Sequence, residues 1–406
     1  MLIVYVRLNS LFIALLSLFA VFSACSMQKQ SVSQLGTYWQ GDWLNSKQDE
    51  TKKKFSESPK VAILLPMSGR AMMIGKAMRN AAELALFDKA SDNFTLSFYD
   101  TVSDPQTAAV MAEIAINEGA DMIIGPLFSD AVLAIRPITQ AAGIPVLSFS
   151  NDRSIASDGV WILGILPSEQ IKLIVCYAAM KEYRRIAMLA PCNAYGFETR
   201  RAAQETATIA GAIIHPICLY KSESFSSLSD MIKSLAASRD YDAVLLPEGG
   251  KTILNVASLM VYYDIDPSKV KFLGSSLWAN PALLHEPTLN GGWFVAPDPA
   301  NRKPFIEHYL SVYGNLPEGL ASLAYDTVSL AAKLAQQPNK SGFSANYLTQ
   351  PSGFNGVDGQ FRLLEDGTNQ RNLAILQITT NGIRLIEPPS TSFLEPYYST
   401  VHKLLQ

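Results

Sequence analysis

The run KVAILLPMSG, residues 60–69, sets the pattern of the fold: a short apolar strand ends in a polar turn and leads into an amphipathic helix. The unit repeats twice, with strands predicted at 95–99 and 122–124, and Pro145 opens a further strand. Strands this short and this continuously apolar are typical of strands that crossover helices bury on both faces. The pattern therefore predicts an α/β fold with a doubly wound parallel sheet.

A second set of strand and helix units follows the first. Its strands are predicted at 185–189, 213–220, 243–246 and 270–273. Two such units in series predict two doubly wound lobes with a cleft between them. We expect a body over residues 60–390, in which one lobe takes 60–164 and 297–350 and the other takes 165–296 and 351–390, followed by a tail at 391–406. The three crossings between lobes are expected near Gly164-Ile165, Ala296-Pro297 and Ser352-Gly353.

The last part of the body has a different pattern, in which strands alternate with tight turns. Strands are predicted at 359–363, 374–379 and 383–386, and Asp366-Gly367 and Asn381-Gly382 are typical hairpin turns. This segment is expected to form a small antiparallel end.

Polar residues collect in the turns that follow the parallel strands. In open parallel sheets, ligands bind beyond the carboxyl ends of the strands, close to the N-termini of the helices. Each of these residues could instead cap its helix, since Ser, Thr and Asp are preferred N-caps. The candidate binding residues in the first lobe are Ser68, Arg70, Ser129, Ser148 and Ser150.

The chain begins with the features of an export signal. Arg7 precedes the apolar run 11–22, which is shorter than the roughly 20 residues that span a bilayer as a helix. Residues 21–26 resemble a bacterial lipobox, which implies a signal peptide at 1–24 and lipidation of Cys25. The alternative is an ordinary signal peptide that contains a chance cysteine. Residues 25–59 are polar and predict a flexible tether.

Composition excludes several classes of protein. A net charge of −3 gives no electrostatic support for nucleic-acid binding. The four histidines are scattered without metal-ligand spacing, so neither a metal site nor a cofactor is predicted. If Cys25 is lipidated, three cysteines remain, and the pairing of Cys192 with Cys218 stays open. Cys176 is the third.

Motifs of enzymes are absent from the sequence. There is no GxSxG elbow, HExxH pair or P-loop, and no pair of carboxylates at useful spacing. Asp100, Asp326 and Asp358 occur in turn-like contexts and are interpreted as caps or turn residues. The chain is therefore predicted not to be an enzyme.

Several runs between Lys60 and Glu387 carry a family resemblance. The runs are KVAILLPMSGRAMMIGKAMRNAAELAL, FYDT, IIGPLFSDAV, IPVLSFSND, NAYGFE, LASLAYDTVSLAA and FNGVDGQFRLLEDGTNQRNLAILQI. They resemble the type I periplasmic-binding-protein fold and, among its branches, the penicillin-binding protein activators, which are lipoproteins with a domain similar to a leucine-binding protein.

The resemblance implies two alternative functions. In the first, the chain is a non-enzymatic activator, anchored in a membrane through the lipid on Cys25, that docks on a bifunctional peptidoglycan synthase. Ser26 after the cysteine is compatible with sorting to the outer membrane. In the second, the chain binds an amino acid or short peptide in the cleft and delivers it to an importer.

The second function requires particular residues to contact the ligand. Ser129, Ser148 and Ser150 would hold the α-carboxylate of the ligand, Glu248 its ammonium group, and Tyr195 would close over it. Glu248 could instead act only on the positive end of the helix that begins at Lys251, and Tyr195 could simply pack.

Overall fold

The computed structural model describes residues 58–89, 94–221 and 224–393, without the side chains of 339 and 340. The predicted signal peptide, Cys25, nearly all of the tether and most of the tail lie outside the described residues. Within the described part, no helix is long and apolar enough to cross a membrane.

The body contains fifteen strands among the described residues. They are β1 Lys60–Leu65, β2 Thr95–Asp100, β3 Met122–Ile124, β4 Val146–Ser148, β5 Val160–Ile162, β6 Arg185–Pro191, β7 Ile213–Tyr220, β8 Ala243–Leu246, β9 Lys271–Gly274, β10 Trp293–Ala296, β11 Phe354–Gly356, β12 Gly359–Leu363, β13 Asn369–Arg371, β14 Ala374–Thr379 and β15 Gly382–Glu387.

Ten α-helices connect these strands in the described part of the chain. They are α1 Met72–Lys89, α2 Pro105–Asn117, α3 Ser129–Ala142, α4 Pro167–Met180, α5 Ala194–Ala210, α6 Phe225–Ser238, α7 Gly250–Tyr262, α8 Pro299–Tyr313, α9 Ala321–Ala335 and α10 Ala345–Leu348.

Lobe I, residues 60–163 and 299–371, is built on a five-stranded sheet in the order β2-β1-β3-β4-β5, and all its pairings are parallel. Residues 61–65 of β1 are buried, as expected for a central strand covered by helices on both faces. Local chemistry sets the helix ends: Asp104 caps α2 by accepting the Thr107 N–H at 2.7 Å, and Pro105 occupies the first turn.

Lobe II, residues 167–296 and 373–387, is built on a seven-stranded sheet in the order β15-β14-β10-β9-β8-β6-β7. Strands β6 to β10 pair in parallel, whereas β14 pairs antiparallel to β10 and β15 antiparallel to β14. The predicted turn at Asn381-Gly382 connects β14 and β15. The prediction of two doubly wound parallel-sheet lobes joined by three crossings is confirmed.

Two features of the second half differ from the expectation. Strand β10, whose four residues follow Gly291-Gly292, was not predicted, although β8 and β9 of the same length were. Strands β11, β12 and β13 form a separate antiparallel sheet whose Phe354, Phe361 and Leu363 share the core of lobe I.

The third crossing is therefore displaced from its predicted position near Ser352-Gly353, and residues 351–371 belong with lobe I rather than lobe II. The reason is the alternation of β12, which directs Phe361 and Leu363 into the core that also contains Val328 of α9. The chain reaches the sheet of lobe II only at Ala374.

Candidate functional site

The turn after β1 is held by the end of the neighbouring strand. Asp100 Oδ1 accepts the N–H of Ser68 at 3.1 Å and that of Val102 at 2.9 Å. Partial burial acts to raise the pKa of Asp100, but the hydrogen bonds from Ser68 and Val102 outweigh it and hold the pKa below its usual range. Arg70 is exposed, and its guanidinium carbon lies 4.8 Å from the centre of the Phe128 ring. Ser68 thus has a structural partner, whereas Arg70 faces solvent.

The serines after β4 form a chain of short-range hydrogen bonds. Ser148 is fully buried, and its hydroxyl donates to the Pro126 carbonyl at 3.0 Å and accepts the Ser150 N–H at 3.1 Å. The Ser150 hydroxyl in turn accepts the Asp152 N–H at 3.1 Å. Ser129 begins α3, but its side chain does not cap that helix. Of these serines, Ser148 is the one most completely engaged within the protein.

Tyr195 lies in the first turn of α5 on lobe II. Asn193 caps this helix through the Gly196 N–H at 3.0 Å, and the Tyr195 hydroxyl lies 3.2 Å from the Ser275 hydroxyl. A Cβ on Gly196 would lie 1.8 Å from the Pro191 carbonyl oxygen, so the close approach of α5 to β6 requires the glycine that follows Tyr195. Burial raises the pKa of Tyr195 to about 12, so its hydroxyl stays protonated and able to donate.

Glu248 follows β8 and already has two partners. The Tyr220 hydroxyl donates to Oε2, and the N–H of Gly249 donates to Oε1 at 2.9 Å. Gly249 is the N-cap of α7, so the carboxylate also lies at the positive end of that helix. Burial and the bond to Glu248 both raise the pKa of Tyr220. Glu248, the acid predicted to bind the ammonium group of a ligand, is therefore already hydrogen-bonded within lobe II.

A cavity of about 480 Å³ lies between the lobes. Tyr195 is the one predicted binding residue in its lining, and the remaining candidates lie elsewhere. Two acids and two arginines give the cavity a mixed charge, and burial raises the pKa of Glu198. Its lining consists of Asn151, Asp152, Arg153, Ser154, Pro167, Ala194, Tyr195, Glu198 and Arg201. Such a lining suits a polar ligand that carries both charges.

A second polar site was not predicted from the sequence. We call it the hinge cluster, and it consists of Arg302, Ser322, Asp326, Asp358 and Arg371. Arg302 Nε donates to Asp358 Oδ1 at 2.5 Å, and the Ser322 hydroxyl donates to Asp358 Oδ2 at 2.8 Å. Asp358 and Asp326 are 1% and 4% exposed.

The interpretation as a cap or turn residue is wrong for Asp326, which lies inside α9, and it holds for Asp358, which lies in the turn between β11 and β12. The sequence did not show that both are buried members of an ionic cluster. A signal was present in the sequence: Asp326 interrupts the apolar face of α9 between Leu323 and Leu330, where a charge requires a buried partner. The same interpretation holds for Asp100, which stabilises a turn.

The three cysteines in the described residues are free thiols, with Cys176 and Cys218 buried and Cys192 exposed. Cys192 and Cys218 therefore do not form a disulfide, which settles the pairing that the sequence left open. No group of three or more His, Cys, Asp or Glu side chains within the described ranges could hold a metal ion.

Comparison with known sequences places this architecture among the binding proteins. A model of the periplasmic binding protein family matches residues 58–382. A relative from Rickettsia prowazekii, named as an uncharacterized protein, is 22% identical over 55% of this chain and 58% of its own length.

Other relatives carry the name of an activator. A penicillin-binding protein activator of Vibrio cholerae is 26% identical over 36% of this chain, and one of Photobacterium profundum is 28% identical over 34%. The matches span 24% and 22% of the activators, so this chain covers about a quarter of their length.

Solved structures of binding proteins share the fold. A leucine-binding protein from Thermotoga maritima superposes with a TM-score of 0.63 at 20% identity, covering 82% of this chain and 99% of its own. A substrate-binding protein of an ABC transporter from Sphaerobacter thermophilus reaches a TM-score of 0.70 at 18% identity, covering 83% and 99%. At these identities the likeness establishes the fold alone.

Proposed function

This chain belongs to the periplasmic binding protein family, and from that premise we propose that it is a non-enzymatic envelope lipoprotein that activates a peptidoglycan synthase, a penicillin-binding protein, by contact. The observation that carries the proposal is the match to named activators at 26–28% identity over a third of the chain. Lipidation of Cys25 and a position at the outer membrane, facing the periplasm, are part of the same proposal.

The geometry of the cleft supports this function over amino-acid transport. The buried Ser148 hydroxyl is bonded at both its donor and acceptor sides, and the Glu248 carboxylate accepts from Tyr220 and Gly249. A ligand that used these groups would have to replace bonds that already exist, which lowers its net gain. An activator makes no such demand, because its partner binds a surface.

Activation by contact needs only a modest energy. A protein that binds the active state of a synthase a few kcal/mol more tightly than the inactive state shifts the population strongly toward activity. No catalytic group on the activator is involved.

The test is synthesis of peptidoglycan by the purified penicillin-binding protein of the same cell, with and without the full chain. We expect a several-fold rise in turnover together with a measurable complex in pull-down. A synthase whose rate and binding stay unchanged at saturating concentration contradicts the proposal.

A second candidate is a solute-binding lipoprotein that delivers an amino acid to an importer. The observation that favours it is the mixed-charge cavity between the lobes, with Tyr195 in its lining. Calorimetry against the twenty amino acids and short cell-wall peptides tests it, because a micromolar site requires about −8.2 kcal/mol. A hit that Tyr195→Ala or Arg201→Ala, in the lining of this cavity, abolishes would favour transport over activation, and a flat panel would remove this candidate.

A further inference from the structure

The chain returns to lobe I after its last strand. Strand β15 ends at Glu387, which pairs with Ile375 of β14 in the sheet of lobe II. Further along the chain, Phe393 is buried against lobe I, with 6% of its surface exposed. Residues 388–393, which we call the return segment, therefore connect the two lobes once more, in addition to the three crossings.

Phe393 occupies a defined seat on the small antiparallel sheet of lobe I. The guanidinium carbon of Arg362 lies 5.0 Å from the centre of the Phe393 ring. A Cβ on Gly353 would lie 2.9 Å from Cε2 of the same ring, so the ring packs where a larger residue would meet it. Arg362 lies in β12 between Phe361 and Leu363, which belong to the lobe I core, so the seat moves with lobe I.

The other end of the return segment moves with lobe II. Strand β15 pairs with β14 along its length, and Ile386 packs against the lobe II core. A movement of one lobe against the other must therefore change the distance or the angle between Glu387 and Phe393.

The return segment is short and stiff. It begins with Pro388-Pro389, whose rings fix φ and favour an extended backbone. Ser390 then closes a turn, because its hydroxyl donates to the Ser392 carbonyl at 2.8 Å and accepts the Ser392 N–H at 3.2 Å. A change in the distance between the two ends must break this turn or lift Phe393 from its seat.

Both ends of the return segment lie beside the third crossing. That crossing enters lobe II at Ala374, and Glu387 pairs with the next residue, Ile375. At the lobe I end, Arg362 pairs with Gln370 just before the crossing. Two connections side by side resist rotation better than one, because turning about either connection displaces the ends of the other.

We propose that the return segment is a strap: it holds the lobes near the angle of this structure, and larger movements require Phe393 to leave its seat against Arg362 and Gly353. The strapped body presents one fixed surface, and the cleft opens widely only when the strap is released. The strap acts within the body and does not depend on the identity of any partner.

Double electron–electron resonance on the full chain measures the lobe angle through the distance between two spin labels. One label reacts with Cys192, which is exposed after β6 of lobe II, and the other with Gln106→Cys, which is exposed in the first turn of α2 in lobe I. Cys176 and Cys218 are buried, and Cys25→Ser prevents a further label. We expect one narrow distribution of distances.

Two variants release the strap in different ways. Burial of a Phe side chain corresponds to about 10- to 100-fold in an equilibrium constant, so Phe393→Ser should raise the ratio of open to strapped molecules by that factor. A Gly/Ser linker of about ten residues, inserted between Pro389 and Ser390, leaves the ring in place and slackens the strap, so the distances should broaden here too. The matched control is Phe87→Ser at an exposed Phe of α1, which should keep the wild-type distribution.

A broad distribution in the wild type overturns the proposal. So does a narrow distribution in either Phe393→Ser or the insertion variant, or a Phe87→Ser distribution as broad as that of Phe393→Ser. If Phe393→Ser fails to fold, the insertion variant decides alone, because it keeps every packed side chain.

Discussion

The rim of the cleft and the hinge cluster satisfy their polar groups in different ways. At the rim, each group has one near and one more distant partner. Ser148 accepts from Ser150 and donates to Pro126, 22 residues away. Glu248 accepts from Gly249 and from Tyr220, 28 residues away. In the hinge cluster, Arg302 and Asp358 are 56 residues apart, and Arg371 and Leu163 are 208 apart. The comparison teaches that the rim combines local turns with bonds between strand ends, whereas the hinge cluster joins segments of lobe I that are far apart in sequence.

The largest expected effect comes from removing one charge of the hinge cluster. Asp358→Ala leaves the partly buried Arg302 without its carboxylate and removes one of the two carboxyls near the buried Arg371, which should cost about 3–5 kcal/mol of unfolding free energy. Urea unfolding of the full chain measures it. The matched control is Glu205→Ala, which breaks an exposed pair with Arg201 and should cost less than about 1 kcal/mol. Equal costs in the two variants would show that the hinge cluster has no special stabilising role.

A smaller effect is expected from crowding the cluster without changing its charge. A Cβ on Gly356 would lie 2.3 Å from Asp326 Oδ2, so Gly356→Ala should cost about 1–3 kcal/mol. Thermal and urea unfolding check this value. Gly319→Ala is the control, because a Cβ there meets no atom within 4 Å. If both variants are equally stable, the close packing of the β11–β12 turn on Asp326 is refuted.

At the rim, the buried serine should matter moderately. Ser148→Ala removes the hydroxyl between the Pro126 carbonyl and the Ser150 N–H, which should cost about 1–2 kcal/mol. The effect should be seen in urea unfolding without any ligand. If Ser148→Ala unfolds at the same urea concentration as the wild type, the Ser148 hydroxyl is available to a ligand. The difference between the rim and the hinge cluster is then smaller than proposed.

The smallest effect is expected at Ser129, the matched serine on the same rim. Its side chain does not cap α3, so Ser129→Ala should change the unfolding free energy by less than about 0.5 kcal/mol. Calorimetry of this variant also tests the transport candidate. A loss of amino-acid affinity without a loss of stability would assign Ser129 to ligand binding and would count against the activator proposal.

The candidate site could be predicted only in part. The family resemblance implied Tyr195 and Glu248 as ligand contacts, and the structure places them just after β6 and β8 of lobe II. The sequence could not show that Glu248 accepts from Tyr220, because that bond joins the end of β7 to the end of β8 across the sheet. Nor could it locate the cavity lined by Glu198 and Arg201, since that cavity needs both lobes.

The sequence by itself determined the two lobes, because the apolar repeat, the strand lengths and the glycine and proline signals are all contained in short contiguous segments. Only the tertiary structure decided that β10 joins the lobe II sheet, that β11 to β13 pack on lobe I, and that Asp326, Asp358 and Arg371 come together inside lobe I. The physical reason is that burial of a charge or a short strand is settled by packing between segments that are distant in sequence, and no local period records it.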